Sequence, residues 1–377
     1  MEVDTYNGTV DQIQGILIRL ESHTYRFHFI LNILSIIINI FHLIIITRKS
    51  MRTCSVNVLM IGIAICDLCT MLTWIYKYFS LVDLEYPECS TASSLMKIYM
   101  DVTSWSSQYH FRRSGCWLGI LMASVRYVIM SRMSDVRHVK LAEPKIGYIL
   151  IAVVFFASGV LTVTWQYECQ VVEDRNFSLA PNCAEHQDPN GHYKYSLILR
   201  PVSSLSYYFI LRSYFILDAT VSNFIPCIAF PILSILLLRR IRKINEARAM
   251  IRRCSTTCEN DNDEKYGLTV KLIVVITVTF FIAEAPLGAI ATFKTFIERT
   301  DTLFRLSTDM IAYFTILATL NSILHPTFCI LMSSQYRETI KSVFRGKRKA
   351  SVISVQARMS SFTPNPVMCA PMTPLTT

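Results

Sequence analysis

Four of the charged residues that lie within long, mostly apolar stretches of the chain are the most distinctive. Arg112 and Arg113 follow one another, and Asp218 and Glu284 stand alone further along. A charge inside a bilayer is expensive, so each of these side chains needs a partner or a function. Two chemistries fit them: buried ion pairs without ligand contact, or a charged pocket floor that a ligand re-pairs. We expect a mixture, in which pairs of the empty protein are perturbed when a ligand binds.

Helical geometry places these charges at similar depth. Arg112 precedes Arg126 by 14 residues, close to four helical turns, so both side chains point to roughly the same face. Arg112 then lies about 21 Å from Arg126, and Glu284 about 24 Å from the cytosolic start of its own apolar stretch. Arg113 is rotated by about 100° from Arg112 around the same helix, so it faces a different neighbour.

The chain that must position these charges has the composition of a membrane protein. Of its 377 residues 52% are hydrophobic and 17% are charged, and its mean hydropathy is +0.38. Soluble domains carry about 25% charged residues. Seven stretches are candidates for a bilayer span, which needs about 20 mostly apolar residues. They are residues 27–47, 56–79, 97–130, 148–167, 215–238, 268–293 and 310–332.

The third stretch is the least apolar, because it holds Asp101, Gln108 and three arginines. A polar helix survives in a membrane only when other helices surround it. The sequence therefore predicts an all-α membrane protein: a seven-transmembrane helix bundle with a short amphipathic eighth helix. The four predicted parts are an extracellular N-terminus (1–26), the transmembrane domain (27–332), the amphipathic helix on the inner leaflet (333–346) and a disordered cytosolic tail (347–377).

Basic residues gather in the loops that follow the first, third, fifth and seventh stretches. The positive-inside rule then places the N-terminus outside the cell and the C-terminus in the cytosol, as in a multi-pass protein of the plasma membrane. Two glycosylation sequons, at Asn7 and Asn176, fall on the predicted outer side. Three of the 12 cysteines, Cys89, Cys169 and Cys183, lie in outer loops, where one disulfide is expected.

Enzyme and transporter functions fit the sequence poorly. No HExxH, GxSxG or phosphate-loop motif is present, and nearby arginines would neutralise Asp218 and Glu284 as a carboxylate pair. Transporters commonly show internal repeats, and none is visible. We expect no cofactor and no metal. We also expect no nucleic-acid partner, since the net charge of +10 arises largely from basic loops beside a lipid bilayer.

Three motifs carry a resemblance to a known family. They are RRSGCWLGILMASVRY at 112–127, FFIAEAPLG at 280–288 and NSILHPTFCILMSSQYR at 321–337. With them, the chain from about residue 39 to 345 resembles the rhodopsin-like G-protein-coupled receptors, and more narrowly the nematode serpentine receptors of class W. Those receptors are related to receptors for FMRFamide-like and myosuppressin-like peptides.

The resemblance implies roles for residues near the cytosolic side. Arg126 and Tyr127 take the place of the Arg-Tyr pair that engages the G protein. Asp67 matches the position that helps to hold a sodium ion, although Gly115 replaces the usual third-helix hydroxyl; a structural Asp is the equal alternative. The other candidates for that sodium-like site are Asn39, Asn321, Ser322 and His325.

The resemblance also implies how the charges, prolines and cysteines act. In such a bundle Glu284 would pair with Arg112, and Asp218 with Arg113. Four prolines lie inside the spans, and three of them, Pro226, Pro286 and Pro326, are the candidate hinges, with passive kinks as the alternative; the fourth is Pro231. Cys89 would bond to a cysteine after the fourth span, with Cys183 preferred and Cys169 as the alternative.

The function expected from the whole sequence is a G-protein-coupled receptor for an FMRFamide-like neuropeptide, which activates a heterotrimeric G protein. Phosphorylated serines of the tail could recruit an arrestin. The alternatives are a chemosensory receptor for a small molecule and, less favoured, a transporter.

Overall fold

The computed structural model describes residues 2–82, 95–131, 140–174, 194–199, 205–253, 261–294, 296–297, 302–332 and 334–344. Most of them are helical. The helices are α1 Glu2–Ile46, α2 Ser55–Val82, α3 Leu95–Ser131, α4 Pro144–Glu168, α6 Asp261–Lys294, α7 Thr302–Met332 and α8 Ser334–Phe344. Helix α5 is continuous and has three segments: an α-helix Leu205–Ala219, a π-helical segment Thr220–Phe224, and an α-helix Ile225–Arg253.

These helices have the length and composition of membrane spans. Six described helices are long and apolar enough to cross a bilayer, and α6 contributes a shorter apolar stretch, Thr277–Phe293. Large apolar side chains face outward around the bundle, such as Phe156, which is 76% exposed. A soluble protein rarely presents so much apolar surface. The described chain is therefore a bundle of six to seven apolar membrane-spanning helices.

The helices close into a ring in which α1 contacts both α2 and α7. Along the ring α2 packs on α3, α3 on α5, α5 on α6, and α6 on α7, while α4 packs outside α2 and α3. Gly147 lets α4 approach α2, because a Cβ at this position would lie 2.7 Å from the Cβ of Val58. Helix α3 is thus enclosed by its neighbours, which explains how a polar span is tolerated.

Helix α3 is a single helix of 37 residues, despite its polar composition. Its polar side chains are turned inward, and Ser106, Gln108, Arg113 and Ser114 are all buried. Gln108 and Arg113 have hydrogen-bond partners on α2, α4 and α5, which makes α3 the centre of the candidate site.

A two-stranded antiparallel sheet follows α4 directly. Strand β1 (Cys169–Asp174) pairs with β2 (Lys194–Leu199), so that Cys169 lies opposite Leu199 and Asp174 opposite Lys194. The all-α prediction is wrong here. Both strands are short and carry β-branched residues, Val171 and Val172 on one and Ile198 on the other, which favour an extended chain once α4 has ended.

Two further helical segments lie outside the seven predicted spans. Helix α1 begins at Glu2, well before the predicted span at 27–47, and no proline interrupts the chain before it ends. Helix α8 docks through Tyr336, which is 1% exposed and whose hydroxyl lies 2.8 Å from Nδ1 of His42 in α1. Burial raises the pKa of the Tyr336 hydroxyl above its ordinary value.

Candidate functional site

Arg112 joins three helices near the middle of the bundle. Its Nη2 donates to Oε2 of Glu284 in α6 at 2.8 Å and to Oδ1 of Asn223 in the π segment of α5 at 3.2 Å. Gly288 allows α6 to come this close, because a Cβ there would lie 3.1 Å from the Cβ of Asn223. Glu284 is 5% exposed, so its carboxylate is compensated mainly by this one guanidinium.

Arg113 lies on the neighbouring face of α3 and joins α4 and α5. Its Nη2 donates to Oδ1 of Asp218 at 2.6 Å, its Nε to Oγ of Ser222 at 2.7 Å, and its Nη1 to the carbonyl of Ser158 at 3.0 Å. The Ser222 hydroxyl in turn donates to Oδ1 of Asp218 at 2.9 Å. The forked guanidinium is thus matched to acceptors on two other helices, a geometry that lysine could not reproduce.

The π segment of α5 supplies acceptors to both arginines. The N–H of Ile225 donates to the carbonyl of Thr220, five residues earlier, which is the π pattern. The next bond of that pattern would run from residue 226 to Val221, but Pro226 has no N–H. Nε1 of Trp117 in α3 donates to the Val221 carbonyl instead, at 3.1 Å. Pro226 and Trp117 therefore act together to fix the segment against α3.

Replacing Trp117 by Phe should lower the free energy of unfolding by about 1–3 kcal/mol, because the Val221 carbonyl loses its donor. In a Pro226→Ala background residue 226 regains an N–H, so the same Trp117→Phe change should cost less. A double-mutant cycle on thermal unfolding in detergent measures this coupling. Strictly additive costs would show that the indole bond and Pro226 are unrelated.

A cavity of about 110 Å³ lies between α2, α3, α6 and α7. Its lining combines the charged pair with the Asp67 cluster, two groups that the sequence treats separately. Among the polar residues that line it are Arg112, Glu284, Asp67, Asn321, Ser322 and His325. Arg113 and Asp218 do not line this cavity. Of the two ion pairs, Arg112–Glu284 is therefore the one that a ligand in this cavity would meet.

The structure also shows how part of the sodium-like group is hydrogen-bonded. The Ser322 hydroxyl lies 2.6 Å from Oγ of Ser35 and donates to the Thr319 carbonyl at 3.1 Å. Asn39 turns its Nδ2, a donor, toward the carbonyls of Ser35 and Ser322. Ser35, Asn39 and Ser322 thus connect α1 with α7. Sodium binding at Asp67 stays a prediction, with a structural Asp as the alternative.

Lys77 is a further cation, not predicted as a site residue, and it contacts two residues that line the cavity, Gln108 and Trp74. Nζ of Lys77 in α2 donates to Oε1 of Gln108 and lies 4.8 Å from the ring of Trp74 and 5.4 Å from that of Trp105. Contacts of a cation with two aromatic rings offset part of the cost of its burial. Its signal in the sequence was one lysine in an apolar stretch.

The family of the chain follows from a comparison with family models. The model described as "Serpentine type 7TM GPCR chemoreceptor Srw" matches residues 26–347, which includes every helix that forms the cavity.

The chain belongs to the Srw family.

No curated protein matches the chain significantly. Srw membership makes the chain a seven-transmembrane G-protein-coupled receptor, a multi-pass membrane protein of a class that is not enzymatic.

The C-terminal end of α3 makes a contact that was not predicted from the sequence. Arg126 and Tyr127 lie in the last turns of α3, half-buried. Arg240 of α5 donates from Nε to the carbonyl of Met130 at 3.1 Å and from Nη2 to that of Ser131 at 2.9 Å. The last carbonyls of a helix have no intrahelical donor, so a cation is favourable here. Arg240 thereby fastens the end of α3 to α5.

Several predicted sites fall outside the described residues of this Srw receptor. Cys89, Cys183 and Asn176 are among them. Asn7 lies within α1, and Cys169 is the first residue of β1. The disulfide and the glycans therefore stay predictions.

The three predicted hinges all lie within helices of the receptor. Pro226 follows the π segment of α5, Pro286 lies inside α6 two residues beyond Glu284, and Pro326 lies inside α7 directly after His325. Each proline is thus adjacent to a polar group or segment of the site.

Proposed function

We propose that this Srw receptor binds an FMRFamide-like neuropeptide at the cell surface and then activates a heterotrimeric G protein in the cytosol. The observation that carries the proposal is the Arg112–Glu284 pair on the wall of the cavity. A buried carboxylate there is neutralised by one guanidinium on a different helix. A ligand that brings a guanidinium of its own can compete for that carboxylate.

FMRFamide-like peptides end in Arg-Phe-amide, so they carry such a group. If the peptide arginine pairs with Glu284, Arg112 is released toward Asn223 and Asp67, and α6 loses its tie to α3. The apolar Phe of the peptide would lie against Trp74 and Phe111, which also line the cavity. The peptide shifts receptors toward the released arrangement only if it binds that arrangement more tightly than the one in which Arg112 and Glu284 are paired. Pro286 is the nearest point at which α6 could bend.

A small-molecule chemoreceptor is the second candidate function. It is favoured by the cavity volume of about 110 Å³, which is below the roughly 300–1,000 Å³ of sites for drug-sized ligands. The description of the Srw family as chemoreceptors points the same way. A small amine would satisfy Glu284 as a peptide arginine does. The family match leaves the transporter alternative without support.

The proposed topology has residues 1–26 outside and residues 347–377 inside the cell, with α8 lying on the inner leaflet. The distribution of basic loops supports this orientation, and the sequons at Asn7 and Asn176 agree with it. In this orientation a disulfide between Cys89 and Cys183 lies in the oxidising compartment. Phosphoserines of the tail would face the cytosol, where an arrestin could bind them.

Guanine-nucleotide exchange in membranes that contain the receptor tests the ligand class. Peptides ending in Arg-Phe-amide should stimulate exchange, and the same peptides with citrulline in place of arginine should not, because citrulline keeps the shape of arginine without its charge. An N-terminal epitope read on intact cells confirms equal surface expression and checks the orientation. Stimulation by small amines with no response to any peptide would favour the chemosensory function. Equal potency of the citrulline peptides would contradict recognition through Glu284.

A further inference from the structure

His42, His325 and Cys329 meet where α1 contacts α7. Their ligand atoms all lie within 4.8 Å of one another. His42 is fully buried, and its ring lies nearly perpendicular to that of His325, with 6.0 Å between the centroids. His325 and Cys329 are one helical turn apart on α7, so both face α1. Two imidazoles and a thiol form a typical donor set for a soft or borderline metal ion.

The hydrogen bonding of His42 points to a ligand for its second nitrogen. Nδ1 lies 2.8 Å from the hydroxyl of Tyr336, whereas Nε2 is buried without a hydrogen-bond partner in the described part of the chain. A buried polar atom left unpaired is unfavourable. In metal sites one histidine nitrogen binds the ion while the other is held by an oriented group. Tyr336 holds Nδ1 in this way, so Nε2 is the nitrogen of His42 that an ion would bind.

A fourth donor lies beside the cluster. Sδ of Met60 in α2 is 3.7 Å from Sγ of Cys329. Zinc bonds to nitrogen and sulfur measure about 2.0–2.3 Å, which places tetrahedral ligands roughly 3.3–3.8 Å apart. The cluster therefore needs a contraction of about 1 Å, which side-chain rotations can supply.

We propose that His42, His325 and Cys329 bind a thiophilic transition-metal ion, Zn²⁺ or Cu⁺, with Met60 as the adjacent sulfur donor. Mg²⁺ and Ca²⁺ are excluded by the chemistry, because they prefer oxygen ligands. The ion would join α1 to the half of α7 that contains Pro326, and through Tyr336 it would orient α8. Because His325 also lines the cavity, metal binding is measured on the receptor without peptide or amine ligand.

Metal content of the purified full-length receptor tests the site. The protein is stripped with a chelator, loaded with Zn²⁺ alone or with Cu⁺ alone under reducing conditions, and separated from free metal. Cys329→Ser should hold one ion fewer per chain than the parent. Cys227→Ser, which changes a buried cysteine outside the cluster, should hold as many as the parent. X-ray absorption of the parent should show mixed nitrogen and sulfur ligation.

Two more variants keep the test decisive. Tyr336→Phe leaves the ligands in place but removes the partner of Nδ1, so it should weaken binding by roughly 10–100-fold. If Cys329→Ser does not fold, His325→Gln replaces it as the variant that should lose the ion. Equal metal content of the parent, the ligand variant and Cys227→Ser would overturn the proposal. So would loading by Mg²⁺ as effective as by Zn²⁺ or Cu⁺.

Discussion

Replacing Glu284 by Gln is expected to lower the free energy of unfolding by about 3–5 kcal/mol, because the change leaves the charge of Arg112 uncompensated inside the bundle. The two groups lie 2.8 Å apart, and the side chain of Arg112, which the change leaves unpaired, is 18% exposed, so water replaces the lost carboxylate only in part. Asn223 remains as an acceptor, but a neutral amide does not balance a cation. Surface expression on intact cells and thermal unfolding in detergent measure the loss.

A charge-swapped receptor is the matched control for this prediction. Arg112→Glu combined with Glu284→Arg restores one positive and one negative group at the same two positions, and it should recover much of the expression lost in either single change. Glu143→Gln removes an exposed carboxylate before α4 and should have little effect. If both singles express and signal like the parent, the pair is unimportant. If they express but do not respond, the charges serve ligand binding or switching rather than assembly.

The ion pairs could be anticipated because they depend on quantities that a sequence contains. The rise and rotation of a helix give the depth of Arg112 and Glu284 and turn Arg113 to a different face of its helix from Arg112. Both pairs are present in the structure, at 2.8 and 2.6 Å. An unpaired charge in a membrane is costly, so few other pairings of these four residues are possible. The remaining requirement, that the helices carrying them adjoin, came from the family resemblance.

Features that depend on local departures from regular geometry could not be predicted. The π segment begins at Thr220 in a sequence that would suit an ordinary α-helix, and only Pro226 indicated irregular hydrogen bonding. The contact of Trp117 with Val221 follows from that segment. The shared cavity of Asp67 and Glu284 depends on how α6 and α7 approach α3, which residue spacing does not give. The sheet after α4 was missed because each strand has only six residues.

After Glu284, the largest loss in the free energy of unfolding is expected for changes to the Arg113–Asp218 pair. Replacing Asp218 should cost more than replacing Arg113. Arg113 is 4% exposed on its side chain, whereas Asp218 is 27% exposed. Asp218→Leu leaves the deeply buried guanidinium of Arg113 without a counter-charge and should lower the free energy of unfolding by about 3–5 kcal/mol. Arg113→Met leaves a carboxylate that can still reach solvent and keeps its bond from Ser222, so it should cost less. Thermal unfolding of the two purified variants measures the order.

The double variant Arg113→Met with Asp218→Leu separates assembly from switching. Well-packed apolar residues in place of a buried ion pair are often neutral or stabilising, so the double variant should unfold at a higher temperature than Asp218→Leu alone. Because the pair does not line the cavity with Glu284, the double variant should also keep its response in the exchange assay. A double variant that folds but gives no response would show that Arg113 takes part in activation, with Ser222 and the π segment as the adjoining elements. A double variant as unstable as the sum of the singles would show that the bonds of Arg113 to α4 hold the helices more strongly than its pairing with Asp218.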